Sequence, residues 1–330
     1  YYVGFNANRM TLDASDRPIV VGSIYQNATA RNDMRVARLT VGGVLDTTGF
    51  GTTDGDGTNG TVTFNFGGRE DYGQLVAVRN GKIIVAGNTN PLYNSALQAY
   101  IDPSGNNRLD GDLIVLQLND DGSLDPTFSP GGFEGDGITW LSLPYVSGST
   151  QNHSWDNVYS LAVTSAGDLL LGGDFYTSSW IRLSATGALD TSLGSGNYPN
   201  RIYSEVGTPR SLALDSAGQI LVGGSRGLSG GQGSNFAVAR FNANGTLDTS
   251  FGPGGSDGVS GLVNTDFEGS TADYIRSVTL RQPDGRILVA GYKSGGVTEL
   301  VLGRYNPDGT LDTSFGTGDA DGRDGFVVDG

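Results

Sequence analysis

Short apolar runs alternate with clusters of turn residues along the whole chain. The run IIVA at 83–86 is rich in β-branched residues, whereas in LAL at 212–214 two leucines flank an alanine. Gly, Asp and Asn separate the runs, as in DDG at 120–122 and PDG at 307–309. Strand-length runs bounded by such residues predict antiparallel β-structure, and no segment shows the 3.6-residue periodicity of an amphipathic helix.

The predicted strands belong to a repeat that occurs five times. A Leu-Asp pair returns at intervals of 79, 65, 58 and 64 residues, and each copy reads as four short strands, which we call a, b, c and d in chain order. One copy cannot bury both faces of its own sheet, but several copies packed side by side can. The pairs begin at Leu45, Leu124, Leu189, Leu247 and Leu311.

This pattern predicts an all-β fold: a five-bladed β-propeller of four-stranded antiparallel blades. We expect a single domain over 1–330, and a linear array of small β units is the alternative that the pattern leaves open. The blades are expected at about 1–66, 67–143, 144–205, 206–264 and 265–330.

The string G-x-L-D-T-S-F-G, with the R-F/Y-N-P-D-G turn before it, resembles the delta-60 repeat of bacterial exported proteins. The fourth and fifth copies, GTLDTSFGP and GTLDTSFGT, match it best, and Leu193 replaces the Phe in the third copy. The resemblance covers all five copies. It implies a β-propeller exported to the bacterial cell surface or exterior, and it implies no particular activity.

Composition narrows the classes of function. The chain has a net charge of −15, with 30 Asp against 5 Glu. Such a polyanion is repelled by nucleic acid and anionic membranes, and no apolar run is long enough to span a bilayer, so we expect neither partner. The absence of Cys and the single His, His153, exclude thiolate and multi-histidine metal sites. We interpret a chain that begins at Tyr1 as processed after export, which suits an extracellular or cell-surface location.

An Arg in strand c recurs eight residues before the Asp of the Leu-Asp pair. We expect the two side chains to form a bidentate structural ion pair in each copy, although a ring of anion-binding arginines is the functional alternative. Gln117 stands at the Arg position in the second copy and is expected to replace only half of the pair. The four pairs are Arg38 with Asp46, Arg182 with Asp190, Arg240 with Asp248, and Arg304 with Asp312.

Loop lengths vary mainly in the b–c and d–a connections, which lie at one end of the strands. Aromatic residues interleaved with Asn and Asp there suit contact with a glycan or a protein, and the alternative is that they only hold long loops in place. The candidate ligand-binding residues are Tyr93, Tyr100, Asn106, Tyr145, Asn152, His153 and Trp155.

These features favour a non-enzymatic surface, matrix or filament protein that uses a propeller scaffold to bind a glycan or protein partner. Self-association is a further expectation that remains open. The alternative is a polysaccharide-active glycosidase or lyase with axial carboxylates, because Asp71, Asp156 and Asp273 come just before the predicted a strands.

Two acidic c–d loops share the pattern D-x-D-G-x-D/N-G, at 54–60 and 319–325. Alternating carboxylates with a glycine at the fourth place can supply oxygen ligands to Ca2+, and an acidic turn is the plain structural alternative. A structural calcium ion is therefore the one cofactor we expect. The candidate ligands are Asp54, Asp56, Asn59, Asp319, Asp321 and Asp324.

We predict that millimolar calcium raises the melting temperature by several degrees relative to EDTA, because a ligand that binds only the folded state stabilises it. Thermal melts of the natural protein and of the double variant Asp56→Ala with Asp321→Ala check this. Equal midpoints in both buffers, or an unchanged calcium effect in the double variant, would contradict the prediction.

Overall fold

The computed structural model describes most of the chain, and every regular element in the described part is a β-strand. The described residues include no helix long and apolar enough to cross a membrane. These residues are 4–27, 31–52, 59–66, 69–90, 92–94, 99–101, 111–131, 136–141, 143, 156–175, 177–194, 200–227, 233–253, 259–267, 272–281, 284–317 and 324–329.

The strands form five four-stranded antiparallel sheets and one small hairpin. The first sheet holds β1 (Asn6–Leu12), β2 (Pro18–Gln26), β3 (Arg31–Arg38) and β4 (Thr61–Phe64). Next come β5 (Glu70–Arg79), β6 (Lys82–Asn90), the hairpin strands β7 (Leu92–Asn94) and β8 (Ala99–Ile101), and then β9 (Asp112–Leu118) and β10 (Ile138–Leu141). The second sheet consists of β5, β6, β9 and β10.

The other three sheets follow the same order along the chain. The third holds β11 (Asn157–Val163), β12 (Leu169–Phe175), β13 (Thr177–Leu183) and β14 (Ile202–Tyr203). The fourth holds β15 (Ser211–Leu214), β16 (Ile220–Gly227), β17 (Ser234–Phe241) and β18 (Leu262–Thr265). The fifth holds β19 (Ala272–Arg281), β20 (Arg286–Ser294), β21 (Thr298–Tyr305) and β22 (Phe326–Asp329).

Each sheet corresponds to one sequence repeat, with neighbouring strands in the order a, b, c, d. The prediction of an all-β fold with five four-stranded antiparallel blades is confirmed. Several a strands begin earlier than the sequence pattern indicated. The reason is a β-bulge, which interrupts strict alternation at Asn8 in β1, Gln74 in β5 and Arg276 in β19.

The chain divides into two compact units, and the division falls within the third sheet. The first unit contains residues 1–169, 174–176 and 183–189, and the second contains 170–173, 177–182 and 190–330. Each unit has its own apolar core. In the first, Met34, Val36, Val85, Ile114 and Leu116 are fully buried between the first two sheets. In the second, Phe236, Val238, Phe251, Ile275 and Val289 play the same part in the last two sheets.

The Asp of the Leu-Asp pair organises the connection between strands c and d. In the fourth sheet, Arg240 Nε donates to Asp248 Oδ2 at 2.7 Å, while Asp248 Oδ1 accepts the backbone amide of Ser250 at 3.0 Å. The corresponding Nε to Oδ2 distances are 2.9 Å for Arg38 with Asp46 and 2.7 Å for the pairs at Arg182 and Arg304. A fork over both carboxylate oxygens, which the sequence led us to expect, does not form in the fourth sheet, because Oδ1 already holds the backbone.

Three of these arginines also reach the next sheet. Arg240 Nη1 donates to the carbonyl of Pro307 at 2.5 Å, and Arg182 Nη1 donates to the carbonyl of Ala243 at 2.7 Å. Arg38 Nη1 donates likewise to the carbonyl of Asp120. Each acceptor is the second residue of the turn that precedes the Leu-Asp pair in the following sheet. We use the word junction for this contact, in which the strand c arginine and the Leu-Asp segment of one sheet meet the turn of the next sheet.

An apolar contact completes each junction. The last bulky residue of the Leu-Asp segment packs against the turn glycine of the next sheet, as Phe251 does with Gly309. A Cβ added at Gly309 would lie 2.9 Å from the Phe251 ring and 2.8 Å from the amide nitrogen of Gly252. That amide donates to the carbonyl of Asp308 at 2.8 Å. The motif that defines the repeat is therefore the motif that joins the sheets.

The second sheet forms its junction with different residues. Gln117 Nε2 donates to Asp125 Oδ2 at 2.8 Å, and Lys82 Nζ lies 3.0 Å from the same oxygen. Arg79, at the end of strand a, supplies the missing cation: its Nη2 donates to Gln117 Oε1 and, at 2.8 Å, to the turn carbonyl of Ala185. As expected, Gln117 itself replaces only part of the pair, because it gives Asp125 a hydrogen bond without a charge. Lys82 supplies the charge beside Asp125, and Arg79 supplies the contact with the turn of the next sheet.

We predict that Gly309→Ala destabilises the fold far more than Gly218→Ala. Both glycines have a left-handed φ, +86° and +79°, but a Cβ at Gly218 meets nothing within 4 Å. Gly218→Ala should cost about 1–2 kcal/mol for the backbone alone, and Gly309→Ala about 1–3 kcal/mol more for crowding the junction. Chemical denaturation measures the free energy of unfolding of both variants. Equal losses of stability would show that the contact between Phe251 and the turn does not require glycine at position 309.

Candidate functional site

The residues predicted to bind a ligand fall at the b–c end of the second sheet and in the d–a loop that follows it. Tyr93 and Tyr100 lie on the hairpin β7–β8, where the register makes them direct cross-strand partners. The hairpin follows strand b almost at once, since β6 ends at Asn90. The remaining candidates lie outside the described residues: Asn106, Tyr145, Asn152, His153 and Trp155.

Of the predicted calcium ligands, the structure describes Asn59 and Asp324, and both are exposed in turns. Asp54, Asp56, Asp319 and Asp321 lie outside the described residues. Within the described ranges, no three His, Cys, Asp or Glu side chains are grouped so that they could hold a metal ion. The calcium site stays a prediction from the sequence.

A network of polar side chains covers the same end of the first two sheets, and we call it the outer network. Glu70 Oε2 accepts from Asn32 Nδ2 at 2.8 Å and from the Tyr72 hydroxyl at 3.0 Å. All three side chains are half-buried, so they are held in place and still reach solvent. Burial, together with the hydrogen bond to Glu70, raises the pKa of the Tyr72 hydroxyl, which keeps it neutral.

Amide side chains extend the outer network along strand b towards the hairpin. Gln74 Nε2 donates to Asn88 Oδ1 at 3.4 Å, and Asn88 Nδ2 donates to Asn90 Oδ1 at 3.2 Å. Carboxylate, amide and phenol groups fixed on rigid strands present both donors and acceptors in set directions. This is the chemistry that recognises an array of hydroxyl groups.

Buried acids lie directly beneath the outer network. Asp71 is completely buried and accepts from the amide of Phe66 at 2.9 Å and from the Thr89 hydroxyl at 2.5 Å. Burial raises the pKa of Asp71 to about 7, against the lowering effect of these two hydrogen bonds. The nearby carboxylate of Asp33 raises it further, and the guanidinium of Arg69 opposes this.

The same acid position recurs in other sheets and has a structural role. Asp156 accepts the amide of Leu143 at 3.2 Å, and Asp273 accepts the amide of Phe267 at 3.1 Å. In each case the amide lies just beyond the d strand of the preceding sheet, so the acid fixes the d–a connection. The sequence placed these acids before strand a. Asp273 instead lies inside β19, because the bulge in that strand hides its alternation from the sequence pattern.

A second buried group lies at the start of β9. Trp140 Nε1 donates to Asp112 Oδ2 at 3.0 Å, and Arg69 Nη1 lies 3.6 Å from the same oxygen. The guanidinium of Arg69 sits over the Trp140 ring, 4.9 Å from its centroid. No motif in the sequence pointed to these residues. One signal was present, since Asp33 and Asp112 occupy the same register, five residues before Arg38 and Gln117.

Grooves at the opposite strand ends offer a poorer site. One of about 230 Å³ is lined by Asp215, Asp284, Arg240 and Pro307, and another of about 270 Å³ by residues including Gly51 and the turn at 121–124. Both grooves lie beside junctions. The turns there are nearly constant in length, and their backbone groups already make hydrogen bonds to the neighbouring sheet. The outer network is therefore the better candidate surface.

We predict that Asp71→Asn makes stability less dependent on pH. The folded-state pKa of about 7 lies above the ordinary value of 3.8, so the stability that Asp71 contributes is full below about pH 4 and is lost as pH rises through 7. Asparagine removes the charge, and it can accept the Phe66 amide with its oxygen and donate to the Thr89 hydroxyl with its nitrogen, because a hydroxyl can also accept. Urea denaturation at pH 5 and pH 8 measures the free energy of unfolding of both proteins. Relative to the natural protein, the variant should be more stable at pH 8 than at pH 5, and an identical difference at both pH values would contradict this.

A comparison with known protein families agrees with the fold. A family described as a domain of unknown function (DUF5122) beta-propeller matches residues 110–128, 218–251 and 282–315. The matched segments end at Phe128, Phe251 and Phe315, the bulky residues of the Leu-Asp segments. A search of the curated proteins found no match.

Three solved structures illustrate the structural likeness. A protein of unknown function from Bacteroides caccae is 14% identical over 99% of this chain and 88% of its own, with a TM-score of 0.47. An exo-1,5-alpha-L-arabinanase from a bovine ruminal metagenomic library is 12% identical over 99% of both chains, with a TM-score of 0.34. A mutant of the GH43 protein BlXynB from Bacillus licheniformis is 11% identical over 99% of this chain and 54% of its own, with a TM-score of 0.38. At these values the likeness assigns no activity. The matched segments support the β-propeller fold of the chain.

Proposed function

We propose that this protein is a non-catalytic, exported propeller scaffold that binds a glycan at the outer network. The observation that carries the proposal is the set of half-buried polar groups around Glu70, which is linked to Asn32 and Tyr72 at one end of two sheets. Sugars are bound by oriented hydrogen bonds beside an aromatic ring, and the outer network offers both through Glu70, Asn32 and Tyr72.

We expect the hairpin β7–β8 to extend this surface. It is the one two-stranded sheet in the described part of the chain, and it emerges from the b–c connection beside Asn90. Its paired residues Tyr93 and Tyr100 are the aromatic candidates expected from the sequence. An extra element on one sheet of a repeated scaffold is where a specific contact is expected, because the other copies supply only the frame.

The net charge of −15 restricts the partner further. A strongly acidic surface repels polyanions, so a neutral or cationic polysaccharide suits it better than a sulfated or uronic one. Export and a surface or matrix location fit this role.

A hydrolase is the second candidate, and one observation favours it. Asp71 has a pKa of about 7 and a second buried acid, Asp33, nearby, and a general acid works best when its pKa is near the working pH. Against this, both oxygens of Asp71 accept hydrogen bonds from the protein itself.

A glycan array followed by titration of the best ligand tests the proposal. Glu70→Gln and Tyr93→Ala should each weaken binding by about tenfold or more, since each removes an oriented contact worth at least about 1.4 kcal/mol. Tyr274→Phe is the matched control, because Tyr274 occupies the register of Tyr72 in the fifth sheet, and it should bind normally.

A reducing-sugar assay on the same ligand separates the two candidates. Binding without release of sugar ends supports the scaffold. Sugar release that Asp71→Asn abolishes would establish the hydrolase instead, and an array with no bound glycan would overturn both.

A further inference from the structure

The groove of about 230 Å³ lies between the fourth and fifth sheets, at the a–b and c–d end of their strands. All of its lining residues belong to the second compact unit. Two acids from a–b turns line it, Asp215 from the fourth sheet and Asp284 from the fifth. An acid beside an apolar wall is a poor site for a sugar but suits an organic cation. The apolar wall consists of Leu221, Leu280, Ile287 and Pro307.

The first sheet fills the corresponding place with a side chain of its own. Arg17 comes directly before strand b, and its Nε donates to Asp13 Oδ2 at 2.7 Å. Its Nη2 donates to Asp120 Oδ1 at 2.7 Å, and its Nη1 lies 3.8 Å from Asp46 Oδ2. The strand c arginine, Arg38, contacts Asp120 Oδ1 at 2.7 Å as well. Two guanidinium groups therefore fit side by side at this place.

The fourth sheet has the same turn without the arginine. Asp215 Oδ1 accepts the backbone amides of Ala217 at 2.9 Å and Gln219 at 2.8 Å, as Asp13 Oδ1 does in the first sheet. Gln219 stands at the arginine position, and its Nε2 donates to Asp248 Oδ2 at 2.7 Å. Among the described residues, Asp215 Oδ2 has no hydrogen-bond partner, whereas Asp13 Oδ2 accepts a guanidinium.

The fourth sheet thus lacks a cation that other sheets have at this position. Lys82 in the second sheet and Arg286 in the fifth lie 3.0 and 2.8 Å from the carboxylates of their own Leu-Asp pairs. Arg240, which lines the groove, is already bonded to its own Leu-Asp carboxylate and to a turn carbonyl. Asp284 is paired with Arg286 at 2.8 Å. No cationic side chain in the described ranges contacts Asp215.

We propose that this groove binds the guanidinium group of an arginine residue in a partner polypeptide. The guanidinium would donate to Asp215 Oδ2 as Arg17 does to Asp13, and its methylene chain would lie along the apolar wall. A guanidinium suits the groove better than an ammonium, because its planar fork can direct N–H groups to Asp215 and Asp284 together. The net charge of −15 favours the approach of a basic partner. This site is separate from the outer network and does not depend on glycan binding.

Ligand-observed NMR titration of the full-length chain with N-acetyl-arginine methylamide tests the proposal. The matched control ligand is N-acetyl-citrulline methylamide, which has the same shape without the charge. The arginine compound should bind at least about tenfold more tightly than the citrulline compound and than N-acetyl-lysine methylamide. Salt should weaken its binding. Equal binding of the arginine and citrulline compounds would overturn the proposal.

Two variants act on the groove in different ways. Gln219→Arg should abolish binding, because the new side chain fills the groove as Arg17 fills its own, and the variant should melt no lower than the natural protein. Asp215→Asn should weaken binding at least about tenfold, because its oxygen can still accept the turn amides while its nitrogen faces the ligand. Asp329→Asn is the matched control, since it removes one charge at an exposed position in the same unit, and it should bind normally.

The variants separate a specific site from general attraction to an acidic protein. Binding that Gln219→Arg leaves unchanged, or that Asp329→Asn weakens as much as Asp215→Asn, would overturn the proposal. Free arginine tests the source of the ligand. Its α-carboxylate should be repelled by Asp215 and Asp284, so tighter binding of free arginine than of the methylamide would overturn the assignment to an arginine residue of a polypeptide.

Discussion

The carboxylate of the Leu-Asp pair is the group on which the rest of the structure depends. One oxygen of Asp248 accepts the guanidinium of Arg240, and the other accepts a backbone amide of its own segment. This fixes the connection between strands c and d and also orients Arg240 towards the next sheet. Hydrogen bonds from Ser314 and Arg304 hold the pKa of the equivalent Asp312 at about 2, so the carboxylate stays charged over the physiological range. One carboxylate therefore links the c–d connection within a sheet to the contact between neighbouring sheets.

The second sheet shows that this constraint acts on hydrogen-bonding geometry and not on residue identity. Gln117 cannot carry a charge, yet Asp125 still has a cation beside it in Lys82. Arg79, from a different strand, reaches the turn carbonyl that the strand c arginine reaches elsewhere. Lys82 and Arg79 together make the contacts that the strand c arginine makes in other sheets, and a buried carboxylate left without a cation would be strongly destabilising.

The sequence was sufficient to predict what repeats. Five copies of the Leu-Asp string predicted five sheets, and the spacing of eight residues predicted the partners of Arg38, Arg182, Arg240 and Arg304. It was insufficient where a side chain acts across sheets. Glu70 binds Asn32 from another repeat, and no spacing along the chain relates the two. Asp71 and Asp273 were misplaced because a bulge shifts the alternation by one residue.

The junction has a consequence for how such chains change over time. Every repeat carries the acceptor turn just before its Leu-Asp pair, and in four of the five the donor arginine lies eight residues before the Asp, the second repeat being the exception. One copy can therefore pack against the next through the same kind of contact, whichever copies are neighbours. Recombination that gains or loses one whole repeat leaves the contacts of each internal junction intact. A break within a repeat, in contrast, separates the carboxylate from its arginine. The contacts at the junctions therefore constrain the short motif within each repeat more than they constrain the number of repeats.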